Sequence, residues 1–305
     1  MRMTFIVPEG RQPQKLSRFI RSGGRLSCSL WKRVKWHGQV TVNGIPSHSA
    51  NRPVKSGDVI ICTWEESADI IPYDGPLHVI YEDEWMMVVD KPAGQIIHPT
   101  SRAVCDTLVN AVAGYYERTG QHTGCHPVYR LDRNTTGLVV VAKSAFVQHH
   151  LTAVHDRICR IYLALTSGIP HPPSGVIHRP IGRREGSIIE WTVRPDGKEA
   201  VTSYCVLEDF SDYALVGLRL FTGRTHQIRV HMTDLGYPLL GDDLYGGPCR
   251  RIQRQALHAA QVSFIHPVTG EKLQFFSPLP DDMAALAGTV PADALNRKEL
   301  SEEGI

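Results

Sequence analysis

The sequence Arg130-Leu131-Asp132-Arg133-Asn134-Thr135-Thr136-Gly137 is followed directly by the apolar run Leu138-Val139-Val140-Val141-Ala142. An unbroken run of aliphatic residues is typical of a strand that is buried on both faces. The Asn-Thr-Thr-Gly segment before it has the composition of a turn. Because arginines stand on both sides of Asp132, the stretch predicts a carboxylate that is held ionised at the edge of a sheet.

A second segment, Thr222-Gly223-Arg224-Thr225-His226-Gln227-Ile228-Arg229-Val230-His231, can supply a further guanidinium to this carboxylate. Together the two segments resemble the signature motifs of the RluA family of pseudouridine synthases. The resemblance extends, in family order, to Lys91-Pro92-Ala93-Gly94 with His98-Pro99, to Arg160-Ile161-Tyr162-Leu163-Ala164, and to Gly241-Asp242-Asp243-Leu244-Tyr245-Gly246. These blocks lie between about residues 78 and 280, so the resemblance covers roughly two thirds of the chain.

The resemblance implies an enzyme that converts specific uridines of RNA to pseudouridine. This reaction breaks the bond between uracil N1 and ribose C1′, turns the base, and joins C5 to C1′. It needs an ionised carboxylate that acts as nucleophile or base in a site closed to water. It needs no redox step and no energy input, so we expect no cofactor.

The family's functional residues correspond to four positions of this chain. Asp132 corresponds to the essential aspartate, and Arg229 to the arginine that stabilises it, for which we expect a bidentate guanidinium–carboxylate pair. Tyr162 corresponds to the tyrosine that stacks on the target uracil and is a candidate for removing the C5 proton. Arg130 corresponds to the side chain that fills the space left when the uridine leaves its stack.

Each of these residues also has a simpler interpretation. An isolated Arg-Leu-Asp-Arg would most often hold a surface aspartate that is paired with Arg130 or Arg133. Arg229 fits an RNA-phosphate contact or a structural ion pair, and an alternating strand position would equally place Tyr162 in the core. For Arg130, a contact with the RNA backbone is as well supported as insertion into the stack.

The chain departs from the usual family motif at two positions. Tyr129 stands where the family usually has histidine, and Thr136 stands where it has serine. Threonine keeps the hydroxyl group, so the hydrogen bonding of the turn can persist. Tyrosine is larger and bonds differently, so the RNA contacts beside Asp132 stay open.

The composition is that of an ordinary globular chain. It has 305 residues, of which 42% are hydrophobic, and no run approaches the ~18 apolar residues of a membrane helix. The first eleven residues lack the apolar core of a signal peptide, so we expect a cytoplasmic protein with no membrane contact. The seven cysteines include no Cys-x-x-Cys pair, which favours free thiols. We further expect a monomer that binds no metal.

The N-terminal region carries a positive charge that the net charge of +2 conceals. Between Arg11 and Gly57 there are ten lysines and arginines and no aspartate or glutamate. Such a block attracts a polyanion. The residues that we expect to contact RNA are Arg18, Arg21, Lys32, Arg33 and Lys35, together with Arg130 and Arg133 beside Asp132.

The same region has the pattern of a folded unit. Apolar residues recur with helical spacing at Leu16, Phe19 and Ile20, and again at Leu30, Trp31 and Val34. An alternating strand then closes on Asn43-Gly44, a strong hairpin signal. Two short basic helices followed by a hairpin resemble the S4 RNA-binding module. Because charge, periodicity and turn residues agree, we predict a folded RNA-binding unit.

The predicted order is an S4-like RNA-binding domain at 11–64, a linker at 65–77, a catalytic domain at 78–280 and a tail at 281–305. Acidic residues and prolines mark the linker, and the tail receives no function. In the catalytic region strands outnumber helices, which are predicted at 105–118, 145–157 and 223–235. The fold class is therefore α+β, with a mixed, largely antiparallel sheet on which helices pack. The family has this fold.

Three functions fit the sequence. The first is an RNA pseudouridine synthase with an S4-like targeting module. The second is a non-catalytic RNA-binding or ribosome-assembly factor that keeps the fold, although the joint presence of Asp132, Tyr162 and Arg229 argues against it. The third is another uracil-directed enzyme, such as a glycosylase. Ribosomal RNA is the favoured partner because S4-bearing relatives commonly act on it, and transfer RNA is the alternative.

Overall fold

The computed structural model of the chain describes residues 1–22, 26–66, 70–99, 104–152 and 158–300. The end of the predicted helix at 153–157, Arg25 of the basic block, Asp69 of the predicted linker and the last five tail residues lie outside these ranges.

The N-terminal region forms a four-stranded antiparallel sheet with two short helices packed against it. Its elements are β1 (Arg2–Ile6), β2 (Gln14–Lys15), α1 (Leu16–Arg21), α2 (Cys28–His37), β3 (Gln39–Val42), β4 (Ile45–Pro46), β5 (Pro53–Val54) and β6 (Val59–Thr63). The strand order is β1-β6-β3-β4, and β2 pairs with β5. Since β1 pairs with β6 along its whole length, this unit begins before residue 11, the start that the sequence analysis gave it.

The local signals of this region have the expected outcome. The apolar positions of α1 and α2 are the buried ones, and they share one core with the sheet. Ser27 caps α2 by accepting a hydrogen bond from Leu30 N at 3.2 Å. Asn43 and Gly44 have φ angles of 52° and 77°, as the two-residue turn between β3 and β4 requires.

A larger sheet forms the rest of the described chain. Its strands and associated helices are β7 (His78–Glu82), β8 (Met86–Lys91), α3 (Leu108–Arg118), β9 (His126–Pro127), β10 (Thr136–Ala142), α4 (Ala145–Thr152), β11 (Cys159–Ser167), β12 (Ser174–His178), β13 (Ile181–Arg183), β14 (Trp191–Val193), β15 (Val201–Asp209), β16 (Tyr213–Leu220), α5 (Gln227–Asp234), β17 (Leu257–Ile265), β18 (Lys272–Phe276) and α6 (Asp281–Ala287). Strands β13 and β14 form a separate hairpin.

The strand order is β12-β15-β16-β11-β17-β10-β8-β7, with β18 beside β17 and β9 beside β10. Within the described residues, β10 and β17 are the only parallel neighbours, so the predicted α+β fold with a mixed, largely antiparallel sheet is confirmed. The two strands approach closely at Gly137, whose φ is 109°. A Cβ there would lie 2.4 Å from Ala259 O, so only glycine fits.

The two faces of the sheet are covered by different elements. Helices α3 and α5 pack on the face that carries Tyr162 and Leu218. Helix α6 and the segment that follows it pack on the face that carries Ile161 and Leu163. Part of the predicted tail therefore belongs to the core, because Met283, Leu295 and Leu300 are buried there.

Two helices start later than predicted, for local reasons. Helix α3 begins at Leu108 because Thr107 and Asn110 form a capping box at its N-terminus. Helix α5 begins at Gln227 because His226 has a left-handed backbone conformation, with φ of 56°, which ends helical geometry on its N-terminal side. Helix α4 begins at Ala145 as predicted.

The predicted linker begins with an anchored residue rather than a free one. Glu66 is buried, and its Oε1 accepts hydrogen bonds from Arg33 Nη2 at 2.6 Å and from Trp64 Nε1 at 2.7 Å. On the side of the larger sheet, Ala145 N donates to the same oxygen at 3.3 Å, and His126 Nε2 lies 3.5 Å from Oε2. Glu66 thus joins the N-terminal unit to the larger sheet. In the described ranges, no helix is long and apolar enough to cross a membrane.

Candidate active site

Asp132 lies in the loop that joins β9 to β10, where the sequence predicted a turn. The backbone carbonyl of Asp132 accepts a hydrogen bond from Thr135 N at 3.1 Å. Its side chain is 25% exposed, and Oδ2 accepts a hydrogen bond from Arg229 Nη1 at 3.1 Å. Arg229 belongs to α5, so two segments almost a hundred residues apart in sequence meet here, as the motif resemblance implies.

The bidentate pair that we expected between Arg229 and Asp132 is made with Asp242 instead. Arg229 Nε and Nη2 donate to the two carboxylate oxygens of Asp242 at 2.7 and 2.8 Å. The expected geometry was wrong because the guanidinium has two edges, and one of them is taken by this fully buried carboxylate. Asp132 is left with a single bond from the remaining nitrogen.

Arg229 is a permanent cation between two carboxylates. Burial lowers the pKa of its guanidinium, but the hydrogen bonds and negative charge of Asp242, together with the charge of Asp132, outweigh burial and raise it. The guanidinium also lies 4.9 Å from the ring centroid of Tyr245, a favourable position for a cation. Its orientation is therefore fixed on two sides.

His226 and Tyr245, neither of which was predicted from the sequence to have a role, complete the surroundings of Asp132. His226 Nε2 lies 3.8 Å from Asp132 Oδ2, and its Nδ1 is 2.8 Å from the hydroxyl of Tyr245. Burial lowers the pKa of His226, although the charge of Asp132 opposes this shift. Both residues, like Asp242, lie within the motif blocks that carry the family resemblance, and that membership is the signal in the sequence that could have identified them.

Tyr162 is both a core residue and part of the site. It is 4% exposed and packs in the core of its sheet face, yet it also lines the cleft that contains Asp132. Burial raises the pKa of its hydroxyl, the positive charge of Arg160 lowers it, and the charge of Asp132 raises it further. The two interpretations from the sequence are thus compatible.

Lys91 is hydrogen-bonded to the backbone of the loop that carries Asp132. It is almost fully buried, and its Nζ donates to the carbonyl oxygens of Pro92, Gln95 and Arg133 at 2.7, 2.9 and 3.0 Å. Burial lowers the pKa of Lys91 to about 7, an effect that the charge of Asp132 opposes. The Lys-Pro-Ala-Gly segment is therefore tied to the loop of the candidate catalytic carboxylate.

The cleft at Asp132 is small, about 50 Å³, and its lining includes Arg130, Asp132, Tyr162, His226 and Arg229. Arg130 is exposed at the rim of this cleft. Arg133 is exposed as well, but its Nε donates to Gly94 O at 3.0 Å.

The basic residues of the N-terminal unit form a group apart from this cleft. Arg18, Arg21 and Lys32 are exposed, and Lys35 is half-buried. Trp36 is 72% exposed and has the ammonium of Lys35 over its ring at 4.7 Å. Arg33 differs from the others because its guanidinium is bound to the buried Glu66.

Comparisons with known proteins show the family to which this chain belongs. The model of the RNA pseudouridylate synthase family matches residues 85–234. The RNA pseudouridine synthase YjbO of Bacillus subtilis is 41% identical over 255 residues, which cover 82% of this chain and 89% of that protein. The ribosomal large subunit pseudouridine synthase D of Vibrio cholerae is 40% identical over 292 residues, which cover 90% of each chain.

A solved structure also resembles the fold. The human protein RNA pseudouridylate synthase domain containing 1 matches with a TM-score of 0.55 and 26% sequence identity, over 67% of this chain and 83% of that one. The resemblance that the sequence motifs indicated is thereby confirmed by independent comparisons. The chain belongs to the family of RNA pseudouridine synthases.

Proposed function

We propose that this enzyme isomerises uridine in ribosomal RNA and that Asp132 is the residue on which the reaction depends. The observation that carries the proposal is the single hydrogen bond from Arg229 to Asp132, made in a cleft lined by Tyr162. A partly exposed carboxylate with one of its oxygens free of this bond can still reach a substrate. The name of the Vibrio cholerae relative, a ribosomal large subunit synthase, supports ribosomal RNA as the substrate class.

Each residue of the cleft has a task in this proposal. Asp132 acts as nucleophile or base at the sugar or base of the target uridine. Arg229 keeps that carboxylate ionised and oriented, because an adjacent guanidinium favours the charged form. Tyr162 stacks on the uracil and takes part in removal of the C5 proton.

The RNA is held by two further groups of residues. Arg130, exposed at the rim of the cleft, fills the space that the extruded uridine leaves, and Arg133 contacts the backbone nearby. Arg18, Arg21, Lys32 and Lys35 of the S4-like unit bind phosphates, and the exposed ring of Trp36 offers a stacking surface for a base. Arg33 is left out of this group because Glu66 neutralises its charge. In this proposal the enzyme acts as a monomer in the cytoplasm.

The Asp132→Asn variant tests the catalytic assignment. Asparagine keeps the shape but cannot act as an anionic nucleophile or base, so we expect the single-turnover rate to fall by roughly 10³-fold or more. Binding of unmodified ribosomal RNA and the melting temperature should change little. The exposed Asp74, paired with Arg118 at the surface, gives a matched control in Asp74→Asn. Robust turnover by Asp132→Asn would refute the assignment.

The substrate is tested by mapping pseudouridines in total RNA from a deletion strain and its parent. Loss of sites from large-subunit ribosomal RNA alone supports the proposal, whereas loss from transfer RNA contradicts its substrate class. The purified enzyme must also produce an isomer of unchanged mass. Release of free uracil would instead identify a glycosylase, and an unchanged RNA would identify a binding factor.

A further inference from the structure

Arg160, on the strand that carries Tyr162, is a buried cation to which the described residues offer no hydrogen-bond acceptor. It is 6% exposed, and among the described residues its guanidinium has no hydrogen-bond acceptor and no ion pair; its Nε is completely buried. A charge in such surroundings normally has a carboxylate or several acceptors, because an isolated one is costly to bury. A buried polar group that the fold leaves unsatisfied calls for an explanation, and a role toward a bound ligand is one of them.

The position of this guanidinium connects it to the reaction site. Arg160 precedes Tyr162 by two residues on β11, so both side chains leave the same face of the sheet. Its charge acts on the pKa of the Tyr162 hydroxyl. The guanidinium lies 5.3 Å from the ring centroid of Tyr129. A Cβ at Gly223 would lie 3.4 Å from its Nη1, and this glycine directly precedes Arg224 of the cleft lining.

The neighbours of Arg160 hold it without neutralising it. The Tyr129 ring attracts a cation, and the hydroxyl of Tyr129 is occupied by a hydrogen bond to Leu138 O at 3.1 Å. Gly223 has no side chain that could accept a bond. The tyrosine at the position where the family motif usually has histidine therefore serves as a support under the guanidinium, whose donors are left for another molecule.

The isomerisation creates a need for such a cation. When the N1–C1′ bond breaks, its electron pair leaves with N1, and negative charge spreads over the uracil oxygens. After the base turns, C5 bonds to C1′, which gives a neutral base that still carries the C5 proton. A base then removes this proton, the negative charge returns to the uracil oxygens, and a proton taken up at N1 gives neutral pseudouridine. A fixed cation in a site of low polarity stabilises the anionic stage without having to reorganise. The phosphates beside the target uridine offer the same chemistry, an anionic oxygen.

We propose that Arg160 is a catalytic residue whose guanidinium binds an anionic oxygen of the target nucleotide, either on the departing uracil or on an adjacent phosphate. This inference rests on the proposed function, because it takes uridine in ribosomal RNA as the substrate. It assigns Arg160 no part in holding the fold together.

The variant Arg160→Met separates this role from a structural one. Methionine fills a similar space without charge, so we expect the single-turnover rate at saturating enzyme to fall by roughly 10²-fold. The melting temperature should stay the same or rise, because an unpaired buried charge is removed. The control is Arg219→Met. Arg219 is similarly buried on the adjacent strand β16. It lies opposite Ile161 in the strand register, so its side chain leaves the face of the sheet away from Tyr162. Its rate should match the wild type.

The substrate for these measurements is a synthetic stem-loop of large-subunit ribosomal RNA that wild-type enzyme converts. Wild-type rate in Arg160→Met would overturn the inference, and so would a variant that is slow only because it melts earlier or fails to fold. If the wild-type enzyme converts no uridine in this RNA, the proposed function fails instead.

Neutral methylphosphonate linkages, placed on either side of the target uridine, identify the oxygen. If Arg160 binds a phosphate, one of these linkages slows the wild-type enzyme but leaves the Arg160→Met variant at its own lower rate. If neither linkage shows this dependence and Arg160→Met is still slow, the partner is the uracil oxygen.

Discussion

Asp132 and Asp242 share one guanidinium, but they are held in different ways. The buried Asp242 accepts a bidentate pair of hydrogen bonds from Nε and Nη2 of Arg229, which fixes the orientation of the arginine side chain. Asp132 takes the remaining nitrogen through one bond and is a quarter exposed. The first carboxylate therefore serves as a support, and the second keeps the freedom to react that our proposal requires.

Replacing Arg229 by lysine tests this division of tasks. Lysine keeps the charge, but a single ammonium cannot hold Asp242 with two parallel bonds and reach Asp132 as well. We expect the single-turnover rate of Arg229→Lys to fall by roughly 10²-fold, with little change in RNA affinity. The melting temperature should also fall, because Asp242 remains buried with fewer donors.

Arg251→Lys supplies the control, since Arg251 forms an ion pair with Asp212 at the surface. Its rate and melting temperature should match those of the wild type. If Arg229→Lys turns over at the wild-type rate, the orientation of Arg229 does not matter for catalysis and its assigned role is wrong.

At the scale of elements, helices α1 and α2 present the basic surface that we assign to RNA. Removing the whole N-terminal unit is a poor test of that role, because Glu66 and a continuous core attach the unit to the larger sheet. Neutralising charges on the surface leaves this core intact. The variant of choice replaces Arg18, Arg21, Lys32 and Lys35 by glutamine.

This fourfold variant should bind the ribosomal RNA more weakly than the wild type. The slope of log affinity against log salt should become shallower by roughly 0.7–0.9 for each phosphate that the variant no longer neutralises, while the rate at saturating enzyme is retained. In the fourfold control, Arg118, Arg250, Arg251 and Lys272 are replaced by glutamine. This control has the same net charge as the fourfold variant of the N-terminal unit. Equal weakening in both variants would show that overall charge, and no particular surface, governs binding.

The elements that the sequence predicted well are those that depend on local signals. The apolar spacing of α1 and α2, the Asn43-Gly44 turn and the aliphatic run of β10 all predicted the observed structure, because neighbouring residues decide them.

The pairing of Arg229 with Asp242 was not predicted, since a bond between residues from different segments leaves no periodic pattern in the sequence. The late start of α5 at Gln227 depends on the left-handed backbone of His226, a conformation that histidine adopts more often than most residues but too rarely to be predicted from sequence. Burial of Glu66 likewise follows from tertiary contacts.

At the scale of the whole molecule, several histidines lie in surroundings that disfavour their charged form. Burial lowers the pKa of His226, His231 and His258. Two of them are bound on both ring nitrogens: His231 contacts Thr202 Oγ1 and Arg179 O, and His258 contacts Thr136 Oγ1 and Ser277 O. In each case one nitrogen faces a carbonyl and must donate, so the other can accept from the hydroxyl when the ring is neutral.

These histidines predict that the protein loses stability on mild acidification. In the unfolded chain they protonate near their ordinary pKa of 6.5, whereas the folded state resists protonation until lower pH. Below pH 6.5 the unfolded state therefore binds more protons than the folded state, and the free energy of unfolding decreases as the pH is lowered. The carboxyl groups of Asp58, Glu66 and Glu82 have lowered pKa values, so their contribution is lost only below their ordinary values of 3.8 and 4.5. The interval from pH 6.5 to 5 thus isolates the histidines.

Urea unfolding at several pH values in that interval measures the effect. The wild-type midpoint should decrease from pH 6.5 to 5, and His231→Gln should show a smaller decrease, because glutamine can also bond to Arg179 O but does not titrate. The exposed His122 provides the control, and His122→Gln should follow the wild type. A midpoint that stays constant or rises on acidification would mean that these rings protonate as easily in the folded protein as in the unfolded chain. Their burial would then not control its stability.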